Sequence, residues 1–349
     1  MNRRRFLAGA GALTLAPWLG HAEERALKFA DMHSHAGVGR RIDNLRALLA
    51  DSGVLIVARA ISTDRPVIHT VKGRRTVARE AQPGELAANF DERLAQLHLT
   101  IRREGLTEIV SVETLERVLE RRVPAAVIAA EGGDFLEGSV QRLEAARKNG
   151  LVHLQLVHFR ISEIGDISTE APRYNGLSAF GREVVAACNR LGILIDIAHG
   201  TSALIEQTLE LSTRPVIYSH GQASNSEPHY TQRLASARSI HLPVARKVAQ
   251  QGGVVGIWAN GGSYSSLDRY ADALLELAEA LGPAHVGIGT DMDGMSKMVV
   301  PTYREFLELA ELMAKRGVAT ADLDNILGGN YIRVLKRALA GGEPTKVGA

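Results

Sequence analysis

The sequence predicts a single (β/α)8 barrel, and three observations carry that expectation. Eight short apolar runs recur along the 349 residues, each with the length and character of a buried parallel strand. Most are separated by segments with apolar residues at three- and four-residue steps, the pattern of an amphipathic helix. The residues that close six of these runs include His33, His35, Glu131, His158, His199, His220 and Asp291, side chains that bind metals and move protons. Such residues at successive strand ends describe the mouth of an α/β barrel. A doubly wound open sheet is the competitor, but it gathers its chemistry at one switch point.

The runs fall at about 27–33, 54–60, 125–131, 153–158, 193–199, 215–220, 253–258 and 285–291. The first, Ala-Leu-Lys-Phe-Ala-Asp-Met-His-Ser-His, ends on His33 and His35. The second, Gly-Val-Leu-Ile-Val-Ala-Arg-Ala, precedes a segment (61–124) longer than a standard crossover and expected to carry extra helices. Helical periodicity marks 85–103 and 112–121 there, the latter opened by the cap residue Ser111. The third run ends on Glu131 before Gly132-Gly133, and the fourth on His158. The fifth and sixth end on His199 and His220, the seventh on Trp258, the eighth on Asp291. Helical patterns at 139–148, 178–191, 202–211, 243–251, 266–281 and 303–316 fill the intervals, and 320–341 reads as a final helix. No repeat or linker divides 23–341, and 342–349 is expected to fray.

The first 22 residues read differently. Arg3, Arg4 and Arg5 precede Phe6-Leu7, a Gly/Ala-rich apolar stretch and Gly20-His21-Ala22. This is the pattern of a Tat-type export signal with small residues for a signal peptidase, so a periplasmic or exported bacterial protein is expected. The stretch is short and weak for a membrane span; an uncleaved amphipathic anchor is the alternative. Removing 1–22 lowers the formal charge from +2 to −1. A near-neutral chain without charge runs excludes nucleic-acid binding as the leading expectation and fits a small-molecule substrate. Cys188 is the only cysteine, which excludes an internal disulfide and a Cys-based zinc motif.

The strand-end residues sort by barrel order. His33 and His35, at i and i+2 on an extended strand, point to one side and can reach one ion. His199 and His220 follow neighbouring strands and can hold a second. Glu131 lies between these groups, and one carboxylate can bridge two cations. Asp291 can take and return a proton, with direct metal ligation as its other possible role. His158 can donate to a developing oxyanion. Asp293 is expected to act as a turn residue or to orient a ligand.

Several motifs, in order, resemble the membrane (renal) dipeptidases, a family of binuclear zinc metallopeptidases with a (β/α)8 barrel of the amidohydrolase-like kind. Asp-Met-His-Ser-His (31–35) is similar to the family's Asp-x-His-x-Asp. Glu-Gly-Gly (131–133), Leu-Val-His (156–158) and Gly-Leu-Ser-Ala-Phe-Gly-Arg-Glu-Val-Val (176–185) follow. Then come Leu-Ile-Asp-Ile-Ala-His (194–199), Pro-Val-Ile-Tyr-Ser-His (215–220), His-Val-Gly-Ile-Gly-Thr-Asp-Met-Asp-Gly (285–294) and Gly-Gly-Asn-Tyr-Ile-Arg-Val-Leu (328–335). The resemblance implies dipeptide hydrolysis by a hydroxide held between two zinc ions. His33 and His35 would bind one ion, His199 and His220 the other, with Glu131 bridging. It further implies that His158 polarises the substrate carbonyl, that Asp291 shuttles the proton, and that the protein is a homodimer. An arginine holds the substrate carboxylate in the family; Arg238 aligns with it if the preceding loop is longer, and Arg233 is the fallback.

Three departures bear on substrate and metal. His35 replaces a carboxylate ligand, which removes one negative charge from the expected site. The residues after His158 (Phe-Arg-Ile-Ser-Glu-Ile-Gly-Asp) and the 221–238 loop both differ from the family's pattern. Two alternatives therefore stay open: an amidohydrolase-type enzyme acting on a lactone, cyclic amide or other small acyl compound, and a non-catalytic metal-binding protein.

Overall fold

A computed structural model describes residues 27–38, 44–71 and 74–341. The expected export signal (1–22) and the tail (342–349) lie outside the described residues. Eight parallel strands pair in sequence order as the wall of a barrel: β1 (Phe29–Ser34), β2 (Val54–Ser62), β3 (Ala125–Glu131), β4 (Leu151–Gln155), β5 (Leu194–Asp196), β6 (Ile217–Tyr218), β7 (Val254–Ile257) and β8 (Val286–Ile288). A bridge between Ser34 and Met292 brings the first strand to the last. There His35 N donates to Met292 O at 2.8 Å and Asp291 N to His33 O at 3.0 Å. Buried Asp31 fastens the same seam, accepting from Thr290 N (2.9 Å) and Thr290 Oγ1 (2.6 Å). Burial lifts the Asp31 pKa to about 6 even though those hydrogen bonds pull it down. The fold is the (β/α)8 barrel that the sequence predicts.

Alternation along the strands divides the apolar side chains into two layers. Ala30, Met32, Ile56, Ala58, Val127 and Val254 belong to one buried cluster, the lumen. Their neighbours Val57, Ile61, Ala126, Ile128 and Leu154 belong to a second, which meets the surrounding helices. The lumen is lined with small residues because Met32 crosses it. A Cβ at Gly256 would lie 2.0 Å from Ser219 O and 2.4 Å from Met32 Cε, so only glycine fits there. Helix Asn330–Leu339 adds Tyr331, Val334 and Leu335 to the lumen cluster. Asn330 Nδ2 donates to Pro283 O and Val286 O, which fixes that helix under the strand starts, at the end away from the polar residues.

Several expected boundaries move. The fourth strand ends at Gln155 rather than His158, and the fifth, sixth and eighth stop at Asp196, Tyr218 and Ile288. His158, His199, His220 and Asp291 therefore stand on turns just past their strands, whereas His33 and Glu131 lie within theirs. His199 (φ 68°) and Asp291 (φ 55°) take left-handed backbone there. Segment 61–124 holds the two expected helices, Glu85–Glu104 and Val112–Arg121, and also an antiparallel hairpin, Ile68–Val71 with Arg74–Val77. The final helix is divided into Thr320–Asp324, a wider turn at Asn325–Gly329, and Asn330–Leu339. No helix among the described residues is long and apolar enough to cross a membrane.

Candidate metal centre

All eight candidate site residues of the sequence analysis come together, with His33, His35, His158, His199, His220, Asp291 and Arg238 gathered about Glu131. Glu131 ends β3 and is 2% exposed. Its Oε1 lies 3.4 Å from His33 Nε2, 3.7 Å from His220 Nε2 and 3.8 Å from His199 Nε2. Its Oε2 lies 3.4 Å from His35 Nε2 and accepts from Ser62 Oγ at 2.7 Å. One carboxylate thus faces both imidazole pairs. Asp291 Oδ1 stands 3.4 Å from His35 Nε2 on the other side. Among the described residues three groupings of ligand atoms are each close enough to hold an ion: His33, His35 and Asp291; Glu131, His199 and His220; and His33, Asp196 and His220.

His33 and His35, two positions apart at the end of β1, both face Glu131, as side chains at i and i+2 do; the pairing of β1 with β2 shifts register between Asp31 and Ser34 beside them. Their rings lie 5.1 Å apart, edge to face.

The donor set fits divalent metal ions. His35 Nδ1–H donates to Ala60 O at 2.9 Å, and His199 Nδ1–H to His158 O at 3.2 Å. His220 Nδ1 pairs with Ser219 Oγ at 2.8 Å. Each bond occupies the outer ring nitrogen and turns the Nε2 lone pair inward, as metal-binding histidines require. His33 Nε2 is buried and has no hydrogen-bond partner. A cation already marks one position: Arg238 Nη2 donates to His199 Nε2 at 2.6 Å and to His220 Nε2 at 2.9 Å. Those are the lone pairs that a metal would take.

Electrostatics point the same way. Burial, reinforced by Arg238, holds the His199 pKa well below its ordinary value, and burial with His33 does so for His220. Burial opposes ionisation of Glu131, but His158, His35 and His33 outweigh it and keep the carboxyl far below its usual range. His35 is the exception. Burial lowers its pKa, yet Glu131 and Asp291 raise it to about 10, so a cation binding at Nε2 must displace a proton. Asp291 stays ionised because His35 and His220 overcome its burial.

His158 stands three residues beyond β4, with Nε2 3.2 Å from Glu131 Oε1. Its Nδ1–H donates to Asp64 Oδ1 at 2.8 Å, and Phe159 N donates to Asp64 Oδ2 at 2.9 Å. Burial opposes protonation, but Asp64 and Glu131 raise the His158 pKa. Sequence reasoning missed Asp64, although β2 runs into Ser62-Thr63-Asp64 and carries the same apolar-then-polar signal. It also missed Asp196, whose Oδ1 accepts from Ser219 N at 3.0 Å and so braces the turn that presents His220. Arg238 is 7% exposed, with its guanidinium 4.7 Å from the Trp258 ring and 5.3 Å from Phe159. Arg233, the fallback, is exposed.

The sequence profile of the membrane dipeptidase family, peptidase family M19, matches residues 79–346. The chain belongs to this family. Glu131, His158, His199, His220, Arg238 and Asp291 lie inside the matched segment; His33 and His35 precede it. Dipeptidase tcpJ of Claviceps purpurea (strain 20.1) is 29% identical over 221 residues, which is 61% of this chain and 50% of that protein. The chain spans about half the length of the curated relatives it matches. An amidohydrolase from Pseudomonas aeruginosa has a TM-score of 0.74 at 22% identity, over 90% of this chain and 97% of that one. A metallopeptidase from Rhodobacter sphaeroides, solved with a phosphinate mimic of the dipeptide L-Ala-D-Ala, has a TM-score of 0.74 at 18% identity, over 89% and 99%. At these identities the two structures speak for the fold of this dipeptidase-family chain.

Proposed function

We propose that this protein hydrolyses the peptide bond of dipeptides at a centre for two divalent ions, zinc by the chemistry of its donors. The observation that carries the reading is the position of Glu131, one oxygen toward His199 and His220 and the other toward His35. His33 and His35 would hold one ion and His199 and His220 the other, with Glu131 shared. Bound there, such ions bring the pKa of water toward neutrality and polarise a carbonyl.

The remaining steps belong to side chains. His158, fixed by Asp64, donates from Nε2 to the carbonyl oxygen as charge develops on it. Asp291 accepts a proton and delivers it to the departing amine. Arg238 turns from the imidazoles to the free carboxylate of the substrate, a bidentate contact that selects very short peptides. Its Nε is buried with no partner.

Metal analysis of zinc-loaded protein should give about two ions per chain, the count the bridging carboxylate calls for. The same preparation should cleave members of an L,L- and L,D-dipeptide panel. Turnover of lactones or esters with every dipeptide inert would transfer the site to another acyl substrate. We also infer export from the Arg3-Arg4-Arg5-Phe6-Leu7 start. Fractionation of cells making the full chain should find it in the periplasm, and lysine at all three arginines should retain it in the cytoplasm.

A further inference from the structure

Beside the metal centre opens a cavity of about 510 Å³, reaching from His35 and His158 to the hairpin residues His69 and Arg75. Three arginines line it: Arg65, Arg75 and Arg93. Arg75 is held in place, with Nη2 donating to Gly294 O at 3.2 Å and its guanidinium 5.4 Å from the Phe159 ring centroid. Arg65 and Arg93 have no side-chain hydrogen bond or ion pair among the described residues, and Arg93 Nε is buried without a partner. Burial first, and the Arg65 charge after it, hold the Arg93 pKa below the ordinary arginine value. Two like charges therefore share one wall; Glu92 offsets the Arg93 charge only in part, and Asp293 lines the cavity as well. Asp64 also lines the cavity, but both its oxygens are engaged by His158 and Phe159.

We propose that this wall is a subsite for a substrate carboxylate, so that the preferred dipeptides carry aspartate or glutamate as the amino-terminal residue. An anion there relieves the Arg65–Arg93 repulsion and meets planar donors suited to a carboxylate. The assignment to the amino-terminal residue rests on the dipeptidase reading above. Arg238 lies outside this cavity, against Trp258. A dipeptide whose free carboxylate is held by Arg238 sends its other residue past His35 toward the arginines.

Zinc-loaded protein should be assayed with Glu-Ala, Gln-Ala, Ala-Glu and Lys-Ala. Glu-Ala should exceed Gln-Ala about tenfold in kcat/KM, mostly through KM, as expected for one charge-assisted contact. Arg65→Gln and Arg93→Gln should each bring that ratio toward one; Arg65 is exposed, so its replacement leaves the packing alone. Calorimetry with glutamate and glutamine gives a readout independent of turnover. Glutamate should bind more tightly, and the double variant should abolish the difference. Equal binding of the two while dipeptides are cleaved overturns the subsite and leaves the hydrolase reading intact. An arginine-dependent preference for glutamate with no dipeptide cleaved keeps the subsite and overturns that reading. Preference for Ala-Glu over Glu-Ala overturns the proposed orientation.

Discussion

Glu131→Gln should lower kcat/KM at least about a thousandfold, about 4 kcal/mol of transition-state stabilisation, and should lower the bound metal from two ions toward one. The amide keeps the size of the side chain and its contact with Ser62, so packing changes little. It removes the charge that lies within 3.8 Å of His33, His35, His158, His199 and His220. A cluster of five imidazoles around a neutral centre keeps Asp291 beside His35 but loses the shared anion that offsets two cations. Metal analysis and kinetics on the same preparation check this. A variant that keeps two ions and near-normal turnover would remove Glu131 from its bridging role.

Asp291→Asn should separate proton transfer from metal binding. Asp291 sits at φ 55°, a left-handed conformation that asparagine also adopts readily, so the turn survives the change. The amide cannot accept and return a proton. The expected loss in kcat is about a hundredfold to ten-thousandfold, the usual worth of a positioned acid–base group. Metal content should fall much less than in Glu131→Gln. Equal metal loss in the two variants would instead make Asp291 a ligand beside His35, from which it stands 3.4 Å.

The strand-end signal was legible because each of these polar residues interrupts an apolar run that is buried on both faces. That is why the sequence reading found Glu131, His199 and His220 without any knowledge of distance. Strand boundaries were less legible: the chain leaves the ladder at Gln155 and Asp196 while the next residues, Leu156-Val157 and Ile197-Ala198, stay apolar, since the turns beyond are buried as well. The hairpin at Ile68–Val77 was passed over, although β-branched residues flank a Lys72-Gly73 turn signal. Asp64 and Asp196 act through other residues, and nothing in a linear pattern says which imidazole a carboxylate will meet. The pairing of Arg238 with His199 and His220 joins residues 39 and 18 positions away. Only the closed barrel brings them together.

The Asp31–Thr290 seam also sets when the centre can exist during the life of the chain. These partners are 259 residues apart, and β1 has no second neighbour until β8 has been made. At ordinary ribosomal speed that is a wait of about 13–50 s. Until then His33 and His35 have no Asp291 beside them. A nascent chain can assemble the Glu131, His158, His199 and His220 side first, as an open half-cup. The closing step carries a large loop-entropy cost, so assembly of the barrel should be slow and its completion all-or-none. Metal offered early would meet a centre that still lacks Asp291.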